Sequence, residues 1–154
     1  MRDRRVLFFG ALALLVFANP AAARELQFQV AKTQSCGCCV AWIEKLKARG
    51  HTVSSTNLTL GFVMQHKKEA GVPLAMASCH TAKVENYTVE GHVPPEDVES
   101  FLENPIQDAI GLAVPGMPLG SPGMDFGDGR EAYNVYVIMK DGSTKVYRSY
   151  EAIE

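Results

Sequence analysis

Four cysteines are the residues of this 154-residue chain best equipped for chemistry, and three of them fall within four positions, Cys36-Gly37-Cys38-Cys39. The fourth, Cys79, lies far along the chain beside His80. A bridge between near neighbours closes a loop too small to restrict the unfolded chain usefully, so structural staples explain the cluster poorly. Two chemistries suit the spacing. At a helix N-terminus the C-x-x-C pair Cys36/Cys39 has the lowered thiol pKa of a thiol-disulfide oxidoreductase, with Cys36 as nucleophile and Cys39 resolving it. Cys38 then has no task. Alternatively, three thiolates meet where helix amides favour negative charge, and Cys79 and His80 complete a metal site that uses every cysteine. Adjacent Cys38 and Cys39 start in different directions and strain around one tetrahedral ion. Thiolates bridging several soft ions avoid that strain, and soft sulfur favours Cu(I). A plain Zn-bound or disulfide-stabilised domain is the third reading.

Methionine sulfur bears on the metal. Met117 and Met124 sit seven apart in Val114–Met124 (VPGMPLGSPGM), and thioether is a ligand that Cu(I) accepts and Zn hardly uses. Filling gaps beneath a loop is the competing role. Met64, Met76 and Met139 lie in or beside apolar segments and read as core, as does Trp42. His51 and His66 read as solvated, and His92 as a backbone-bonding histidine at a helix start rather than a ligand.

The elements that must position these groups follow from local pattern. Leu26–Ala31 alternates as a strand. From Cys38 to Arg49 the period turns helical, with Cys39, Ile43 and Leu46 on one face and Gly50 as the stop, so the cysteines open a helix. A β-rich run over 51–57 and a helix over 59–70, ended by Gly71 and Pro73, complete a β-α-β-α half. A strand-rich stretch over 81–89 and a short helix over 94–103 come next. Three Pro and three Gly between Val114 and Met124 suit neither helix nor sheet, so this stretch is a shaped loop. Tyr133–Met139 and Ser143–Tyr147 flank Asp141-Gly142, a hairpin signal. The order is that of an α/β, thioredoxin-like sandwich with a mixed sheet and a C-terminal antiparallel hairpin, and order alone leaves other α/β sandwiches open. In that fold the loop carrying Cys79-His80 approaches the N-terminus of the first helix.

Composition and the N-terminus bound the setting. Lys and Arg number 15 against 17 Asp and Glu, a formal charge of −2, which leaves no basic surplus for nucleic acid. Arg2, Arg4 and Arg5 precede an apolar run from Val6 to Ala18 and a small-residue site at Ala21-Ala22-Ala23, the pattern of a secretory signal peptide over residues 1–23. The run is shorter than the roughly 20 residues that span a bilayer, so no stable membrane insertion is expected after cleavage. Removing three Arg and one Asp leaves a more acidic domain, residues 24–154, outside the cytoplasm.

Four motifs taken in order, Cys36-Gly37-Cys38-Cys39, Ser78-Cys79-His80-Thr81, Glu90-Gly91-His92-Val93-Pro94, and Gly111–Pro118 with Ser121-Pro122-Gly123-Met124, resemble the CopG family of exported bacterial copper-resistance proteins. The likeness runs through nearly all of residues 24–154. It implies a periplasmic thioredoxin-like domain that binds several Cu(I) ions through its cysteines and protects against copper excess, with redox chemistry of copper proposed. It also implies metal ligands at Cys36, Cys38, Cys39 and Cys79, with His80, Met117 and Met124 as auxiliaries. The expected partners are copper ions and other periplasmic copper-handling or redox proteins. One departure from the pattern, Val40-Ala41-Trp42 after Cys39, stands where a small polar continuation is expected and bears on how the cluster packs.

Overall fold

The computed structural model describes residues 24–154, and the signal peptide expected over residues 1–23 lies outside the described residues. The elements are β1 (Gln27–Thr33), α1 (Gly37–Ala48), β2 (Thr52–Leu58), α2 (Leu60–Glu69), a 3-10 turn (Leu74–Met76), β3 (Thr81–Val84), β4 (Tyr87–Glu90), α3 (Pro95–Glu103), β5 (Ala109–Ala113), β6 (Tyr133–Met139) and β7 (Thr144–Tyr150). The sheet has seven strands in the order β2-β1-β3-β4-β5-β6-β7. The β1/β2 and β4/β5 pairs are parallel and the others antiparallel. This is the mixed α/β arrangement with a C-terminal antiparallel hairpin expected from the sequence. No described helix is long and apolar enough to cross a membrane.

Because successive strand residues point to opposite faces, the sheet separates two kinds of interior. One face carries Phe28, Val30, Val84, Val89 and Leu112, which join Trp42, Ile43 and Leu46 of α1 and Val98 and Phe101 of α3 in the main core. The opposite face is covered by α2 and the segment after it, where Val72 packs with Ala113 and Ile138. Its buried polar residues include Lys67, Thr81 and Glu90. The start of α1 is set by Cys36 as N-cap, whose sulfur accepts the Cys39 N–H at 3.3 Å. Its end is set by Gly50, which takes the left-handed backbone (φ +87°) that glycine adopts without strain.

Several sequence expectations change. The strand-rich stretch over 81–89 resolves into the separate strands β3 and β4. Strand β5 was not expected: Ala-Ile-Gly-Leu-Ala is short and lacks alternation, and a Cβ at Gly111 would collide with the backbone of Thr88 on β4. Met64 is 40% exposed rather than core, whereas Met76 and Met139 are partly buried against apolar clusters. His51 is buried rather than solvated, because the turn at Gly50 folds it onto Phe28, with ring centroids 5.5 Å apart. Its Nδ1 accepts from the Leu26 N–H at 3.4 Å while Nε2–H donates to Glu99 at 2.9 Å. His66 is half-buried.

Candidate metal centre

Three separate stretches of chain deliver the donors. The N-cap and first turn of α1 supply Cys36, Cys38 and Cys39, the segment entering β3 supplies Cys79 and His80, and the turn leaving β4 supplies His92. Cys38 Sγ lies 3.4 Å from Cys36 Sγ and 3.6 Å from Cys79 Sγ. The sulfurs of all four cysteines lie within 4.8 Å of one another. The convergence expected of Cys79 on the helix N-terminus is therefore present.

Cys36 and Cys39 are joined as a disulfide, and Cys38 and Cys79 are free. The bridge spans three positions and restrains the unfolded chain little. It therefore fits a redox pair better than a staple. Burial, with Cys38 as neighbour, pushes the Cys79 thiol up to about 12, so it is held protonated.

Cys79 also belongs to a second donor group. Its sulfur is 3.0 Å from His92 Nε2 and 3.6 Å from His80 Nδ1, and the three ligand atoms lie within 4.8 Å of one another. His92 Nδ1–H donates to the Pro122 carbonyl at 2.9 Å. That bond turns the Nε2 lone pair toward Cys79, where it accepts the thiol proton and where a metal would take the proton's place. Burial lowers the pKa of His92 below its ordinary value. His80 is lowered well below 6.5, first by burial and then by the charges of His92 and Lys67. Both rings are thus neutral imidazoles, the form that ligates metals. His80 Nε2 is buried without a hydrogen-bond partner, an exception among buried polar groups.

Trp42 does more than fill the core. Its indole lies 4.5 Å from the His80 ring, between centroids, and its Nε1–H donates to the Val93 carbonyl at 2.8 Å. It thereby ties α1 to the segment carrying His92. The Pro-Gly-Met loop reaches the centre through backbone. Besides the Pro122 carbonyl on His92, Gly123 approaches so closely that a Cβ there would stand 2.6 Å from Cys38 O and 2.8 Å from Trp42 N. Farther along, the Gly116 N–H donates to Ala77 O at 3.1 Å, and the Ser78 hydroxyl donates to Gly116 O. Met117 is 52% exposed and Met124 half-buried.

Two solved structures of the copper resistance protein CopG, Form 1 and Form 2, share this architecture. Each is 39% identical, with TM-scores of 0.77 and 0.75; the matches cover 83% and 82% of this chain and 99% of each of theirs. The chain belongs to the CopG family. A family model described as "Protein of unknown function, DUF411" matches residues 76–124. In this CopG-family chain that stretch runs from the turn before Cys79 through His92 to Met124, so it holds the donors beyond α1. No curated protein sequence matches the chain.

His92 is a potential nitrogen donor that sequence reasoning set aside. The expectation of a backbone hydrogen bond is met by Nδ1, but the other nitrogen of the same ring faces Cys79. The neighbouring motif Glu90-Gly91-His92 holds a signal in its glycine. Gly91 has φ +71°, and a Cβ there would meet the Ser78 side chain and, at 2.6 Å, Val114 O, so three site segments abut at that point.

Proposed function

We propose that this chain is a periplasmic copper-resistance protein that binds several Cu(I) ions as cargo at Cys36, Cys38, Cys39 and Cys79, with His92 and His80 as nitrogen donors. Met117 and Met124 are the thioether candidates. The observation that carries this reading is the shared position of Cys79, which stands within 4.8 Å of three other sulfurs and, separately, of two imidazoles. A thiolate common to two donor sets suits bridging between soft ions, as one tetrahedral site would not. Loading requires the Cys36–Cys39 pair in its dithiol form. Anaerobic titration of the reduced protein with Cu(I) should saturate above one equivalent; a sharp endpoint at one, or preference for Zn, would overturn the reading.

The disulfide favours a second reading, a thiol-disulfide oxidoreductase using Cys36 and Cys39. The two readings meet if the dithiol reduces copper: two thiols and two Cu(II) give one disulfide, two Cu(I) and two protons. Such turnover needs electrons from a periplasmic redox partner. Cys38→Ser separates the alternatives, because a Cys36/Cys39 redox pair tolerates it and a bridged copper cluster does not.

A further inference from the structure

One buried carboxylate holds the Cys79-His80 dipeptide from both ends. Glu90 of β4 is fully buried. Its Oε1 accepts the Ser78 backbone N–H at 2.6 Å and its Oε2 accepts the Thr81 hydroxyl at 2.6 Å. Ser78 immediately precedes Cys79, and Thr81 immediately follows His80. Lys67, reaching from α2 and equally buried, donates to Glu90 Oε1 at 2.7 Å and to Thr81 Oγ1 at 3.1 Å. Glu90 also stands two residues before His92, and its backbone carbonyl accepts the Val114 N–H at 3.0 Å where the Pro-Gly-Met loop departs. The segments carrying donors outside α1 are thus all referenced to this residue.

A buried ion pair is a weak source of stability, since an apolar pair of similar volume often serves as well. What an apolar pair cannot supply is an acceptor for the Ser78 N–H and the Thr81 hydroxyl. We infer that Glu90, with Lys67 as its counter-ion, is a positioning residue for metal binding, clamping Cys79 and His80 against His92 and the α1 thiols. The inference rests on the proposed copper site.

The test compares two charge-neutral double variants. Lys67→Met/Glu90→Gln keeps an oxygen for the Ser78 N–H and an amide donor for Thr81, whereas Lys67→Met/Glu90→Leu keeps neither. Reduced proteins are loaded anaerobically with Cu(I) and challenged with a Cu(I) chelator, and Co(II) loading gives the thiolate charge-transfer spectrum. The glutamine variant should retain Cu(I) like the parent, and the leucine variant should lose roughly 10- to 100-fold in retention, the usual effect of removing a residue that orients a ligand, with an altered Co(II) spectrum. Thr81→Val keeps the ion pair and removes one arm of the clamp, so it provides a well-folded check with a smaller loss in the same direction. In a Cys79→Ser background these losses should shrink, because the clamp then has only His80 to place. Folded Leu and Val variants that hold Cu(I) like the parent, or losses that are undiminished without Cys79, overturn the clamp alone. A parent that fails to retain Cu(I) overturns the copper site and the clamp together.

Discussion

Two polar assemblies are buried on opposite sides of the same strands. On the α2 side, Lys67, Glu90 and Thr81 form a closed set in which both Glu90 oxygens accept hydrogen bonds and the ammonium has two partners. On the α1 side, the thiols and imidazoles around Cys79 form an open set. One nitrogen, His80 Nε2, has no partner, and one thiol is held protonated against the lone pair of His92. The difference teaches where to look for function. A saturated buried network holds chain segments in place, whereas an unsaturated one retains donors that an incoming soft cation can satisfy.

The sharpest way to break the comparison is to remove donors from the open set. Cys38→Ser and Cys79→Ser should each lower Cu(I) capacity in anaerobic titration by at least one equivalent while the apoprotein stays folded by circular dichroism. Unchanged capacity would make these thiols ordinary. The closed set should respond in the opposite sense. Lys67→Met strands a buried carboxylate and should cost about 3 to 5 kcal/mol of stability in urea unfolding, while the copper count of the folded fraction stays at the parent value. His92→Ala should weaken Cu(I) retention under chelator competition more than Met117→Leu or Met124→Leu does. The leucine variants keep size and apolarity, so their stability should change by about 1 kcal/mol or less. A loss of Cu(I) in either that matches the His92 variant would move the loop sulfurs to the centre of the site.

The smallest effect concerns a polar group outside both sets. Hydrogen bonds from Arg49 and then His51 hold the Glu99 carboxyl below its ordinary 4.5. A depressed carboxylate stabilises the fold above its unfolded pKa, and that contribution is lost as pH falls through the folded value. Acid titration of stability should therefore show a small decline below about pH 4.5 that Glu99→Gln reduces, with no change in copper binding at neutral pH.

Much of the fold could be read from local pattern. The helical period after Cys38, the stop at Gly50, the Asp141-Gly142 turn and the Pro-rich loop are written in consecutive residues, and each recurs in the structure. Strand β5 was illegible because its pairing depends on the backbone of β4, which tolerates only glycine at position 111. Nothing local marks Lys67 as buried, because its partner Glu90 lies 23 positions away.

The donor chemistry was determined by the sequence alone. Three cysteines at a helix start, a fourth beside a histidine and two methionines among prolines are soft ligands whatever the fold does, because softness belongs to the atom. Which of them meet was decided by tertiary structure. Sheet register brings Cys79 within 3.6 Å of Cys38 across 41 positions. The Pro122 carbonyl, 30 positions from His92, selects the nitrogen that faces sulfur. Burial leaves both histidines neutral. Distances, tautomers and desolvation arise between segments remote in sequence, and no local pattern encodes them.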